Sequence, residues 1–161
     1  MDTPGCVPPD TIRTTDSWRS VLDDMESTAA AYRDRGWSTL ELHPGDCVLV
    51  DSERRTGLDV LLSGSEYEAL ESLTAAHTFT DVEVFAAPTG EMQYLLIVET
   101  DPVAESAAFV PAYFELAGAR AVIETASEAG TFRVFCRRLN DDFVVFDHDA
   151  VDLFVPDRFL D

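Results

Sequence analysis

Two clusters of His and carboxylate residues have the donor types that hold a divalent cation. The first is His43-Pro44-Gly45-Asp46, followed by Asp51 and Glu53. The second is Asp147-His148-Asp149, with Asp141 and Asp142 in the turn before it. If the two came together, His43, Asp46, Asp51 and His148 would form a mixed nitrogen and oxygen site able to support metal-assisted hydrolysis. Neither spacing is that of a standard metal motif. Each also has a plainer reading: Pro44 and Gly45 set a tight turn in which Asp46 bonds its own loop. Asp149 caps a helical turn, leaving His148 as a surface residue.

A third group is cationic. Arg54 and Arg55 are adjacent, and Arg133, Arg137 and Arg138 fall in one predicted strand. Alternation places Arg133 and Arg137 on one face with Phe135, and Arg138 on the other with Val134 and Cys136. Guanidinium groups hold phosphate or carboxylate by paired hydrogen bonds, so Arg54, Arg55, Arg133 and Arg137 are candidates for an anion clamp. They are equally suited to ion pairs with the chain's own carboxylates.

Cys136 and Cys47 have apolar neighbours and read as small buried hydrophobes rather than reactive thiols. His77 follows a predicted helix and caps it. The sequence contains no GxGxxG, Walker loop, HExxH, CxxC or GxSxG, so no motif names a cofactor. It also contains no Lys, which excludes Schiff-base and Lys-base chemistry.

The elements that must position these residues follow from periodicity. Trp18, Val21, Leu22, Met25, Ala29 and Tyr32 form the stripe of an amphipathic helix over 17–35, with Thr15 or Asp16 as cap and Gly36 at the end. Strands are predicted over 37–42, 47–51 and 57–62, the first two joined by the His43–Asp46 turn. A helix over 65–77 opens on a Ser65/Glu68 capping box. Segments 81–87 and 91–100 form a hairpin around Pro88-Thr89-Gly90. Asp101-Pro102 predicts a helix start, interrupted at Pro111. Gly118 and Gly130 bracket a helix over 119–129. A second hairpin pairs 131–139 with 143–147, and a helical turn closes the chain near 149–154. This order predicts an α+β fold, a mostly antiparallel mixed sheet with helices packed on one face. Residues 1–15, with Pro4, Pro8 and Pro9, read as a flexible lead-in to a single domain over 16–161.

The 161 residues carry 31 Asp and Glu against 11 basic residues, all Arg, for a formal charge of -20. Such a surface repels the nucleic-acid backbone. A hydrophobic content of 46% is too high for an acidic disordered tail. Three Cys are too few, and odd in number, for a secreted disulfide scaffold. The first residues lack a basic and apolar signal segment, and the longest apolar run, Leu95 to Val98, is far short of a bilayer span. A cytoplasmic protein without nucleic-acid or membrane partners is expected. Self-repulsion at this charge is relieved by concentrated salt, which points to a halophile whose carboxylates hold water and monovalent cations.

The strings DSWRSVLDDMESTAAAYRDRGWSTLEL (16–42), HPGD (43–46), GLDVLL (57–62) and PAYFELAGA (111–119) resemble a family of uncharacterised haloarchaeal proteins. The resemblance runs through nearly the whole chain after Thr15. It implies a single halophilic domain and carries over no activity or functional residue. The residues therefore favour a non-enzymatic domain for protein association or small-ligand binding, self-associating through Pro111–Phe114 and Phe143–Phe146. The alternatives are the metal-assisted hydrolase and an Arg-based sensor of an anionic metabolite.

Overall fold

The computed structural model describes residues 15–140 and 142–156. The expected lead-in before Thr15, Cys6 within it and Asp141 lie outside the described residues.

Helix α1 (Asp16–Asp34) forms where the apolar stripe predicts it. Thr15 caps it, its hydroxyl accepting from the Trp18 N–H at 3.2 Å. Trp18, Val21, Met25, Ala29 and Tyr32 are its buried face. Gly36, at φ 90°, turns the chain immediately afterwards. Strand β1 (Ser38–Glu41) then pairs in parallel with β6 (Ser106–Glu115), far along the chain. The predicted turn at His43–Asp46 does not close a hairpin. Leu42 N–H donates to Phe109 O on one side of it and Gly45 N–H to Leu61 O on the other. The segment thus carries the chain out of one sheet and into a second.

That second sheet begins with β2 (Asp46–Asp51) and β3 (Thr56–Leu61), an antiparallel pair. Helix α2 (Gly64–Ala76) follows. Its cap is Ser63, whose hydroxyl accepts from Glu66 N–H, two residues before the expected Ser65. The chain returns to the first sheet with β4 (Asp81–Thr89), β5 (Met92–Asp101) and β6. Helix α3 (Ala119–Ala129) lies between Gly118 and Gly130 as predicted, and both glycines are left-handed. Strands β7 (Phe132–Arg137) and β8 (Phe143–His148) complete the second sheet, and a 3-10 turn follows at Val151–Leu153.

The expected α+β class is observed, and most strand pairings are antiparallel. The strands divide, however, into two four-stranded sheets, β1-β6-β5-β4 and β2-β3-β7-β8. Each has one parallel joint, β1 with β6 and β3 with β7. The helices do not share one face of one sheet: α1 packs on β1, β5 and β6, and α3 on β2, β3 and β7.

The helix expected after Asp101 is a strand instead. All of β6 except its last residue is buried. Ala107, Ala108, Phe109 and Val110 supply small, aromatic and branched side chains that fit a covered pleated surface. Pro111 is tolerated because residues 109 and 111 direct their backbone groups toward β1, which ends at Glu41. Asp101 does perform the capping chemistry expected of it, but for a turn: its carboxylate accepts from the backbone N–H groups of Val103, Ala104 and Thr78. These bonds, the one from Ala104 foremost, hold the carboxyl below the usual range. The burial of β6 also corrects the expected contact surface, since Ala112, Tyr113 and Phe114 lie inside the core.

Candidate functional site

The four candidate metal ligands have four separate sets of partners. His43 is exposed at the start of α2, where Glu66 accepts from its backbone N–H and pairs with Nδ1, both at 2.8 Å. Asp46 accepts from Tyr113 Oη at 3.2 Å and from the Cys47 N–H. Asp51 accepts from Thr56 Oγ1. His148 is buried at the end of β8 against Phe132 and Glu99. The expected set of His43, Asp46, Asp51 and His148 is therefore not assembled. Among the described residues, no group of three or more His, Cys, Asp or Glu side chains is placed to hold a metal ion.

The surface reading of His148 is also corrected. Val144, Phe146 and His148 alternate on the inward side of β8, and His148 is 3% exposed. Its Nδ1 lies 2.8 Å from Phe132 O, which can only accept, so this nitrogen carries a proton. Nε2 meets Glu99 Oε2 at 2.5 Å. Burial pushes the Glu99 carboxyl upward, opposed by its hydrogen bond and charge interaction with His148. The Phe154 ring lies against the imidazole, 4.7 Å away between centroids. Cys136, fully buried nearby, is pushed up by burial and by the Glu99 charge. Glu99 was not a sequence candidate, because the run around it is apolar.

The cationic candidates are better gathered. Arg54 and Arg55 lie in the turn between β2 and β3. Ser52 shapes that turn: its backbone N–H donates to Arg55 O at 2.8 Å, and its hydroxyl bonds both the N–H and the carbonyl of Arg55 at 3.1 Å. Arg133 lies beside the turn on β7, because Gly57, the second residue of β3, is in register with it. Gly57 is at φ 151°, and a Cβ there would lie 2.1 Å from Arg133 O, so only glycine permits this close approach.

Arg54, Arg55 and Arg133 line one cleft of about 120 Å³, with Glu53, Thr125 and Thr131 also on its wall. Arg133 Nε donates to Asp147 Oδ1 at 2.9 Å. Arg54 makes no ion pair with a described residue. Arg55 Nη1 lies 3.4 Å from Asp59 Oδ2 but makes no hydrogen bond, although the atom is buried. Thr131 Oγ1 is likewise buried without a hydrogen-bond partner among the described residues. Arg55 also lies 5.8 Å from the centre of the Phe135 ring and 5.6 Å from that of Phe143.

Arg137 is on the Arg133 face, as alternation requires, but it is outside the cleft wall. Its Nε donates to Asp59 Oδ1 at 2.9 Å, so Arg55 and Arg137 share one carboxylate that is 4% exposed. Asp59 also escaped the sequence reading, hidden in the run Leu58 to Leu62. Arg138 is used elsewhere, bonded to Asp142 and lying over the Tyr67 ring. Both cysteines of the described chain are buried as expected, and burial pushes the Cys47 thiol up to about 12. His77 ends α2, its N–H donating to Leu73 O.

No helix of the described residues is long and apolar enough to cross a membrane. The model of a family of unknown function, DUF7529, matches residues 7–156, and the chain belongs to that family. No curated protein and no solved structure matches it.

Proposed function

We propose that this member of the DUF7529 family is a binding domain for a small anionic ligand, held in the cleft of Arg54, Arg55 and Arg133. The observation that carries this reading is the convergence of three guanidinium groups on one cleft in a chain of formal charge -20, beside two buried polar atoms without hydrogen bonds. Arg137 supports this arrangement from behind. By bonding Asp59 it spreads that carboxylate over two cations, leaving Arg55 positive charge to offer.

The test is thermal unfolding at constant potassium chloride, with and without phosphate and acetate. Either anion is expected to raise the melting temperature of the native protein by mass action. The shift should shrink sharply in Arg54→Ala and Arg133→Ala. If neither anion moves the transition, or the shift survives both substitutions, the reading is wrong.

A further inference from the structure

We infer that the outer edge of β8 is the surface through which two copies of this chain pair, joining their second sheets into one continuous sheet. The inference is independent of the anion cleft.

The backbone decides which groups the edge offers. Arg138 N–H donates to Asp142 O at 3.2 Å. From there β7 and β8 keep one unbroken register, from Arg137 with Phe143 to Phe132 with His148. In an antiparallel ladder, pairs that exchange hydrogen bonds alternate with pairs that do not. Val144, Phe146 and His148 therefore bond to β7, and the N–H and C=O groups of Phe143, Val145 and Asp147 point away from it. Among the described residues, β8 ends its sheet and pairs with β7 alone. No backbone group of another described segment bonds to those three residues. The packing against β8 at Phe146 comes from the inner side, where Phe79 meets that ring.

The side chains set this edge apart from the other three. An apolar edge strand invites pairing, and proteins blunt such edges with charge, Pro or brevity. Strand β4 carries Asp81, Glu83 and Pro88, β2 begins and ends on Asp, and β1 has only four residues. Strand β8 reads Phe-Val-Val-Phe before its one carboxylate, Asp147. Phe143 is 42% exposed and Val145 39%, and Leu139 is exposed in the turn before them. An apolar edge of this kind is out of keeping with the surface of a chain of formal charge -20.

Symmetry and charge complementarity make the occupant a second copy. Two β8 strands can pair antiparallel about a two-fold axis at Val145, which sets Val145 against the partner's Val145 and Asp147 against the partner's Phe143. This register matches Phe143, Val145 and Asp147, the residues with free backbone groups, and keeps outer face beside outer face. Asp147 is exposed and bonds Arg133 through one oxygen. Across the joint it meets the cation that lies over Phe143, since within each copy the Arg55 guanidinium is 5.6 Å from the centre of that ring. The two-fold axis makes this contact twice. The like charge of the two copies opposes their encounter, so pairing should strengthen in concentrated salt, which screens it.

The experiment is light scattering of the full chain in multimolar potassium chloride, with Val145→Lys and Val145→Cys beside the native protein. The native protein is expected at twice the 17.8 kDa of one chain. Val145→Lys, which places a charge at the axis, should scatter as a single chain, with its folding checked by its melting temperature. In a hydrogen-bonded antiparallel pair the two Cα atoms at the axis lie about 5.5 Å apart, within the span of a disulfide. Val145→Cys should therefore form a covalent dimer on oxidation, and Leu139→Cys and the native protein should not. A native protein of single-chain mass overturns the inference. So does a dimer that Val145→Lys leaves intact, or a Val145→Cys variant that cross-links no more than Leu139→Cys.

Discussion

His148 Nε2 and Glu99 Oε2 lie 2.5 Å apart with both side chains buried, and the contact joins β8 of one sheet to β5 of the other. Nδ1 already donates to Phe132 O, so the contact at Nε2 requires one further proton, shared with the carboxylate. In an unfolded chain a free carboxyl releases its proton near about pH 4.3 and a free imidazole near about 6.5. The Glu99 carboxyl, raised by burial, holds its proton more tightly in the folded chain than in the unfolded one, so stability falls as pH rises above the unfolded carboxyl value of about 4.3. The stability it contributes is present below its unfolded value and is lost as pH rises through the folded one. Urea unfolding followed upward from about pH 4 is expected to show this fall in the native protein and a flatter profile in Glu99→Gln, which keeps a hydrogen bond without the shared proton. Parallel profiles would refute the shared proton. Glu99→Leu should cost about 3 kcal/mol, because it leaves the imidazole buried and unpaired.

Gly57 sets how closely β3 approaches β7 at the cleft. Gly57→Ala drives a methyl group into the Arg133 carbonyl and also requires a backbone conformation that L side chains rarely adopt. We expect a loss of about 2–3 kcal/mol or more in urea unfolding, within or above the range for forcing atoms into a packed site. Anion binding should weaken with it, since the same carbonyl anchors Arg133. A variant as stable as the native protein would show that the two strands can separate freely.

Asp59 holds Arg55 and Arg137 together. Asp59→Asn keeps the shape but removes the charge that Arg55 and Arg137 share, leaving two guanidiniums without their common partner. Breaking a largely buried pair from one side costs about 3 kcal/mol. The loss should be smaller in a variant that also carries Arg137→Met, because the second uncompensated cation is then gone. A double variant that loses as much as both changes added would mean that the three groups act independently.

The thiols at Cys47 and Cys136 are buried, with thiolate formation opposed by burial. Neither should react measurably with a thiol reagent at pH 8 while the chain is folded, and both should react on unfolding in urea. Rapid modification of either in the folded protein would place it in a more open environment than the structure shows.

Much of the fold was legible because local rules dominate it. The α1 stripe, the two glycines around α3 and the hairpins β4–β5 and β7–β8 all depend on residues close in sequence. Segment 106–115 was not legible, because a Pro and several Ala read locally as broken helix. What decides its state is the cover supplied from elsewhere, and the position of Pro111 just past the end of β1. The site divides in the same way. Alternation put Arg133 and Arg137 on one face, but only the register of β3 with β7 brings Arg54 and Arg55 to Arg133. Glu99 and Asp59 were hidden in apolar runs, where a lone carboxylate gives no sign of its distant partner. The one local clue to the buried imidazole was its place in the alternation of Val144, Phe146 and His148.

The order in which the chain visits its sheets has a consequence for how it can form. It enters the first sheet with β1, leaves for β2 and β3, returns for β4 to β6, and ends in the second with β7 and β8. Hairpins can close early within each visit, since their strands are neighbours in sequence. The joints β1–β6 and β3–β7 cannot, because each closes a loop that contains strands of the other sheet. Each sheet is interrupted in sequence by strands of the other, β2 and β3 inside the first and β4 to β6 inside the second. Assembly must wait for contacts of long sequence separation, which slows folding relative to a chain whose sheets follow one another.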